Sequence, residues 1–108
     1  MTPPLGEFEL LVLLAVLSLG DRAYPLAVSD AIASKTGRKS SRASVHITLE
    51  RLEDKGLLTS VYGEPAPVRG GRAKRFFRPK PAAVRAVRQS LGRIERLTAG
   101  LESILKQP

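Results

Sequence analysis

The chain has 108 residues, with 18 lysines and arginines against 10 aspartates and glutamates, so its formal net charge is +8 at neutral pH. The lack of cysteine excludes a disulfide framework, a thiolate metal site and a cysteine nucleophile, and it agrees with a reducing compartment such as the cytoplasm. A strongly basic balance predicts a polyanionic partner, most often nucleic acid. A chain of this length supports one domain with a small core, so a long exposed helix would need a partner.

The first apolar segment, Glu7 to Leu19, predicts a helix that is buried on more than one side. Its run from Leu10 to Leu19 has the length of a signal-peptide core, but the residues before it include two acids and no lysine or arginine. The run is also shorter than the roughly 20 apolar residues that span a bilayer. The segment therefore predicts a buried helix rather than a targeting or membrane segment.

Turn and cap residues delimit two further helices. Pro25 suits the first position of a second helix, and Gly37 suits the position that ends it. Either Ser40 or Ser41 caps a third helix, which ends at Gly56.

The third helix has a core face and an outward face. Val45, Leu49 and Leu52 follow the i, i+4, i+7 spacing and should face the core. Ile47 points away from the core, which is unusual for an isoleucine. The outward residues are Ala43, Ser44, Ile47, Glu50 and Arg51, with Arg42 and His46 on the flank.

After the third helix the spacing changes to that of extended structure. Leu57 to Tyr62 and Ala73 to Arg78 predict two strands of a hairpin, and residues 63–72 form its basic, Pro/Gly-rich tip. Residues 82 to about 107 return to helical spacing and predict one long helix of about 36 Å. The predicted order is three helices, a hairpin and a long helix.

Positive charge is concentrated in the middle of the chain. Residues 37–80 hold 11 basic and 4 acidic residues, net +7, whereas residues 1–36 carry net −2. Two short helices joined by a tight turn and followed by a basic hairpin predict a mainly α fold with a β-hairpin (α+β), the winged helix-turn-helix. In this fold one helix enters the DNA major groove and the wing contacts phosphates. We divide the chain into a DNA-binding domain, 1–80, and a C-terminal dimerisation helix, 81–108.

The third helix is the predicted recognition helix. Arg42 and Arg51 can reach a guanine edge or a phosphate, and Ile47 can contact a thymine methyl group. The alternative is that both arginines are merely solvated, or pair with Glu53 or Asp54, and that Ile47 fills a tertiary contact. The predicted DNA-binding residues of this helix are Ser41, Arg42, Ser44, His46, Ile47 and Arg51.

The hairpin tip provides a second group of predicted DNA contacts. Its paired glycines between two arginines remove side-chain bulk where a wing lies against a phosphate or enters the minor groove. The alternative is a solvated turn, but the position directly after the recognition helix favours DNA. The predicted wing residues are Arg69, Gly70, Gly71, Arg72 and Lys74.

Three stretches resemble the PadR family of bacterial transcriptional regulators: LGEFELLVLLAVLSLGDRAY, SRASVHITLERLEDKGLL and, above all, EPAPVRGGRAKRFFRPK. The resemblance extends from Leu5 to Arg78, about two thirds of the chain. It implies a winged-helix homodimer that usually represses transcription and that, in short members, is completed by one C-terminal helix. Members of the family often couple DNA binding to small molecules, so the resemblance also allows for an effector.

The chain departs from the family pattern at three positions. His46 stands where the family usually has a tyrosine that approaches the DNA backbone, although imidazole can still donate a hydrogen bond to phosphate. Pro25 replaces a frequent glycine and suits a helix N1 position. Phe77 replaces a common tyrosine and so lacks a hydroxyl, without a change in packing.

The last helix predicts a homodimer. Its apolar residues follow heptad spacing, with Thr98 as the one polar residue among them, and we expect this side to meet its copy together with the N-terminal helix. The alternative is that the helix folds back on its own core. Gly92 and Gly100 mark close contacts, flexible points beside a ligand space, or tolerated defects that cost about 1 kcal/mol each. The predicted interface residues are Val87, Leu91, Ile94, Leu97, Leu101, Ile104 and Leu105.

Two other functions compete with DNA-binding regulation. An enzyme is disfavoured because the acids are scattered and the single histidine lies on the basic helix, which leaves no nucleophile, base or metal site. A winged-helix module that binds RNA or another protein is the remaining alternative, but stacking on RNA requires exposed aromatics. The sequence therefore predicts a cytoplasmic, homodimeric regulator of double-stranded DNA, a repressor of a pseudo-palindromic operator, with no catalytic residue, metal or other cofactor.

Overall fold

The computed structural model of the protein describes residues 4–63 and 73–107. A 3-10 turn, Gly20–Arg22, joins the first two helices. A short helix, Glu102–Leu105, follows the long C-terminal helix. The predicted mainly α order with one β-hairpin is confirmed. The elements are α1 (Glu7–Leu19), α2 (Pro25–Thr36), α3 (Arg42–Asp54), β1 (Leu58–Tyr62), β2 (Arg75–Pro79), α4 (Pro81–Thr98) and α5 (Glu102–Leu105).

The ends of α2 and α3 are set by the residues that the sequence indicated. Pro25 occupies the first turn of α2, and Gly37 ends this helix in the left-handed conformation, with φ at 76°. Ser41, not Ser40, caps α3: its Oγ accepts a hydrogen bond from the Ser44 N–H at 3.0 Å.

The two strands form an antiparallel hairpin that is tied to the helical part of the chain. Leu58 pairs with Pro79, so β2 extends one residue beyond the predicted end of the second strand at Arg78. The N–H of Phe77 donates to the carbonyl of Ala23 at 2.8 Å, which connects β2 to the segment before α2. Because a lone two-stranded hairpin is marginally stable, this attachment and the burial of Phe77 hold it in place.

The core lies between α1, α2, α3, the hairpin and the first half of α4. Val45, Leu49 and Leu52 are fully buried, as predicted from their spacing. Ile47 is 55% exposed, so the alternative in which it fills a tertiary contact within the chain is wrong. The largest fully buried side chains are Phe77, Leu13, Leu49, Leu52, Leu57, Leu58, Val12, Val16, Val28 and Val45.

The C-terminal helix is shorter than the sequence predicted. It ends at Thr98 rather than near residue 107, and a separate four-residue helix follows. The break lies at Ala99, where ψ is 128°, and at Gly100, which adopts φ of 86°, a left-handed conformation that glycine tolerates and that an α-helix does not contain. The prediction of one continuous helix over 82–107 was therefore wrong, and α4 is about 27 Å long.

The first half of α4 packs on the core, and the second half extends beyond it. Val87, predicted to lie in a dimer interface, is instead buried in the core of its own chain, together with Ala83 and Ala86. The alternative in which the helix folds back on its own core is thus correct for this half. The molecule measures 56 × 35 × 20 Å, and its radius of gyration of 15.9 Å exceeds the about 13 Å of a compact domain of this length.

An ion pair joins α1 to the end of α3. Lys55 Nζ lies 2.7 Å from Oε2 of Glu9, and the Gly6 N–H donates to Oε1 of the same carboxylate at 3.0 Å. Burial by itself would raise the pKa of Glu9, but the hydrogen bonds from Lys55 and Gly6 outweigh it and hold the pKa below its ordinary value of 4.5.

We expect Glu9→Gln to lower the free energy of unfolding by about 1–3 kcal/mol at pH 7, because Lys55 loses its charged partner. A carboxylate with a lowered folded-state pKa stabilises the fold fully above its unfolded pKa, and that stability is lost as pH falls through the folded value. Urea unfolding should therefore show a wild-type advantage that is constant above about pH 5 and shrinks at lower pH. Glu7→Gln, an exposed change in the same turn, is the control and should cost less than about 1 kcal/mol. A Glu9→Gln deficit of equal size at all pH values contradicts this role.

Candidate nucleic-acid interface

The predicted recognition residues lie on the solvent side of α3, opposite the buried valine and leucines. Five of them, and Ala43 beside them, are exposed, and His46 is partly buried. Because the core face holds the helix, this outward face has a defined orientation relative to the rest of the domain. The exposed five are Ser41, Arg42, Ser44, Ile47 and Arg51.

Arg42 and Arg51 are available to a ligand. Within residues 4–63 and 73–107, neither guanidinium forms an ion pair with a carboxylate. The alternative in which they pair with Glu53 or Asp54 is wrong, since Glu53 binds Arg75 instead. Both arginines thus keep their donors for a guanine edge or a phosphate oxygen.

The two serines at the start of α3 bind each other and stay exposed. Ser41 Oγ donates to Ser44 Oγ at 2.9 Å and accepts from the Ser44 N–H. Because the Ser44 hydroxyl accepts in this pair, its own proton is free to donate to an oxygen outside the protein.

His46 faces along α3 toward Glu50. Its Nε2 lies 3.3 Å from Oε1 of that carboxylate, and both side chains are partly exposed. A hydrogen bond from this nitrogen to a DNA phosphate would require the imidazole to turn away from Glu50. The phosphate contact predicted for His46 therefore stays a prediction.

Four polar side chains connect α3 to the hairpin, and we refer to Glu50, Glu53, Ser60 and Arg75 as the Arg75 cluster. Arg75 donates through Nη1 to Glu50 at 3.2 Å, through Nη2 to Glu53 at 2.6 Å and through Nε to Ser60 Oγ at 3.1 Å. Ser60 in turn donates to Glu53 at 2.7 Å. Burial would lower the pKa of Arg75, but the hydrogen bond that it donates to Glu50 and the charge of Glu53 raise it overall.

Sequence reasoning did not identify the Arg75 cluster. Its carboxylates are three residues apart on α3, which places them on neighbouring positions of one helix face. That spacing was the available signal, but it does not reveal which arginine of the hairpin lies opposite. The partner is decided by how the hairpin packs against α3.

The base of the wing is formed by aromatic and cationic side chains. Tyr24 and Phe76 meet edge to face with ring centroids 5.7 Å apart, and Lys74 Nζ lies 4.3 Å from the Tyr24 ring centroid. Gly63 is required here because a Cβ at this position would come within 2.7 Å of the Phe76 ring. Of the predicted wing residues, Lys74 is exposed at this base, and the other four lie outside the described residues: Arg69, Gly70, Gly71 and Arg72.

A row of exposed apolar side chains continues along the second half of α4 and through α5, and we call it the C-terminal apolar stripe. Leu97 is 80% exposed. The stripe continues the helix face that is buried against the core in the first half of α4. Its members are Leu91, Ile94, Leu97, Leu101, Ile104 and Leu105, which are the predicted interface residues other than Val87.

A shallow apolar groove of about 200 Å³ lies between α1 and α2. Leu11, Leu14 and Ile32 line it, with Lys35 at its edge. Over the described part of the chain, His, Asp and Glu form no group of three that could hold a metal ion. No helix there combines the length and the apolar character that crossing a bilayer requires.

No family model and no curated protein sequence matches the chain, but solved structures do. A PadR family transcriptional regulator from Eggerthella lenta is 23% identical, with a TM-score of 0.68 over 91% of this chain and 83% of its own. A PadR family transcription regulator from Clostridium difficile is 16% identical, with a TM-score of 0.73 over 93% and 99%. Bordetella bronchiseptica BpsR, whose DNA binding is regulated by 6-hydroxynicotinic acid, is 24% identical, with a TM-score of 0.64 over 91% and 67%. The chain therefore has the fold of the PadR family transcriptional regulators.

Proposed function

We propose that the protein is a PadR-type transcriptional regulator that binds a specific site on double-stranded DNA as a homodimer and represses transcription. The observation that carries the proposal is the outward face of α3. It presents Arg42, Ile47 and Arg51 to solvent, with both arginines free of carboxylates among the described residues. An exposed isoleucine between two available arginines is suited to base edges and phosphates in a major groove.

In the proposed complex, α3 lies in the major groove. Arg42 and Arg51 bind guanine or phosphate, Ile47 contacts a thymine methyl group, and Ser44 donates to a base edge. The wing adds phosphate contacts from Lys74 and from the basic tip, which belong to the segment that carries net +7. Phosphate contacts supply most of the affinity, and base contacts supply the sequence preference.

The proposed dimer forms through the C-terminal apolar stripe together with α1. All six large apolar side chains of the stripe are exposed in the single chain, and a second copy would cover them. A two-fold axis would place two recognition helices in successive major grooves about 34 Å apart, and the matching DNA site would be pseudo-palindromic.

A small-molecule effector belongs to the proposal. BpsR, which shares the fold, has its DNA binding regulated by 6-hydroxynicotinic acid. The apolar groove between α1 and α2 is open to a compound of modest size. Such a compound would release DNA by binding more tightly to the conformation that fits DNA less well. We place this activity in the cytoplasm, where DNA is present and where a chain without cysteine needs no oxidising environment.

Salt dependence tests the proposed function. We expect the purified protein to bind a duplex selected from a random pool, and to lose about 10³-fold in affinity between 50 and 200 mM salt, because counterions compete for phosphate contacts. Fluorescence anisotropy over a salt series measures this, with single-stranded RNA of equal length as the comparison. A dissociation constant that does not change with salt, or a preference for the RNA, would refute DNA readout and support the RNA- or protein-binding alternative.

A further inference from the structure

Arg75 lies in a basic hairpin where each arginine is a candidate phosphate ligand, but its surroundings assign it a different role. We infer that Arg75 is a positioning residue, which Glu53 and Ser60 hold in place so that the wing and α3 approach DNA as one rigid surface. Arg75 itself does not bind phosphate. The inference rests on the proposed function and adds to it the contact that couples the two DNA-binding parts.

The guanidinium of Arg75 is already engaged within the protein. Each of its three nitrogens donates to a side chain of the Arg75 cluster. Its carbon lies 4.9 Å from the ring centroid of Phe77, which is fully buried, and the Arg75 side chain is only 20% exposed. A phosphate would have to compete with two carboxylates, a hydroxyl and an aromatic face for this guanidinium.

The cluster connects the three elements whose relative placement matters for DNA. Glu50 and Glu53 belong to α3, Ser60 to β1 and Arg75 to β2. Glu53 is the central member, because its two oxygens accept separately from Arg75 and from Ser60. A change at Glu53 therefore loosens both strands from the recognition helix at once.

Removal of the Glu53 carboxylate has two effects on DNA affinity, one through charge and one through positioning, and they act in opposite directions. Removal of a carboxylate beside DNA reduces repulsion and by itself tightens binding. Loss of the contacts of Glu53 with Arg75 and Ser60 lets the wing move relative to α3. The wing must then be ordered when DNA binds, and this entropic cost weakens binding. We expect the second effect to be larger.

The matched control is the next residue of the chain. Asp54 is an exposed acid on α3 and forms no ion pair within the described residues. Asp54→Ala removes the same charge as Glu53→Ala and leaves the Arg75 cluster intact. The two variants therefore separate the loss of negative charge from the loss of the anchor.

The test measures affinity for a duplex that the wild-type protein has enriched from a random pool. We expect Glu53→Ala to bind about 5-fold more weakly, and Asp54→Ala to bind up to about 2-fold more tightly. Glu53→Gln, which keeps an acceptor oxygen for Arg75, should recover most of the affinity that Glu53→Ala loses. Tighter binding by Glu53→Ala, in parallel with Asp54→Ala, would overturn the inference.

The salt slope distinguishes positioning from phosphate contact. Arg75→Ala should lower affinity and leave the slope of log K against log salt unchanged, whereas loss of a phosphate contact reduces the slope by about 1. Ser60→Ala, which alters no charge, should weaken binding by about 2-fold with the same slope. This variant still tests the positioning role if an Arg75 or Glu53 variant unfolds. A slope reduced by about 1 in Arg75→Ala would overturn the inference. If the wild-type protein binds no duplex, the proposed function fails together with the inference. If the wild-type protein binds DNA in a salt-dependent way but Glu53→Ala binds more tightly, only the inference is overturned.

Discussion

Leu97→Glu is expected to convert the proposed dimer into a monomer and to weaken binding to a pseudo-palindromic site by about 100-fold, because the second recognition helix is no longer tethered to the first. The substitution suits this purpose because Leu97 is 80% exposed in the single chain, so the fold of the monomer does not depend on it. A carboxylate buried in an apolar interface loses its hydration and gains no partner. Sedimentation velocity and fluorescence anisotropy measure the two effects.

Gln89→Glu provides the control for this prediction. Gln89 is exposed on α4 on the side away from the apolar stripe, and the change adds the same negative charge. It should leave both the oligomeric state and the affinity for DNA within about 2-fold of wild type. A Leu97→Glu protein that stays dimeric at micromolar concentration would place the interface elsewhere.

Arg42→Ala and Arg72→Ala are expected to weaken DNA binding in two different ways. Arg42 lies on the face proposed to read bases, so its loss should cost about 1–3 kcal/mol and relax the base preference at one position of each half-site. Arg72 belongs to the predicted wing, so its loss should weaken binding to all sequences alike and reduce the salt slope by about 1. Ser44→Ala is expected to change base preference as Arg42→Ala does. Selection of DNA from a random pool by each variant, with a salt titration, measures preference and slope.

Arg85→Ala is the control for the arginine variants. Arg85 is exposed on α4 and lies outside the proposed DNA surface, so its removal lowers the net charge equally without loss of a contact. It should leave the base preference unchanged. Equal losses on selected and random DNA for both Arg42→Ala and Ser44→Ala would argue against readout by α3.

The local features of the fold were predictable from the sequence because they depend on residues close together in the chain. The N1 proline, the left-handed glycine and the serine cap act within one helical turn, and the structure confirms the helix ends that they mark. The spacing of Val45, Leu49 and Leu52 identified the buried face of α3 for the same reason, since one helix determines its own periodicity. The exposure of Ile47 followed directly from that face.

The C-terminal part was predicted less well, because apolar spacing does not distinguish a continuous helix from an interrupted one. The pattern extends through Gly100 without a gap, but the backbone there adopts φ of 86° and ends the helix. The same pattern placed Val87 with the interface residues, although it packs on its own core. Where along one helix face the core ends depends on the position of α1 and the hairpin, which spacing along the chain does not contain.

The sequence by itself determined the basic middle segment, the helix-turn-helix followed by a hairpin, and the outward face of α3, since charge, caps and periodicity are local properties. Only the tertiary structure decided which charged side chains are free. Among the described residues, Arg42 and Arg51 pair with no carboxylate, whereas Arg75, equally basic in sequence, is bound by Glu50 and Glu53. The physical reason is that an ion pair forms between residues that packing brings together, here an arginine of β2 and two carboxylates of α3. The net charge indicates a nucleic-acid partner, and the packing selects which of its charges are free to bind it.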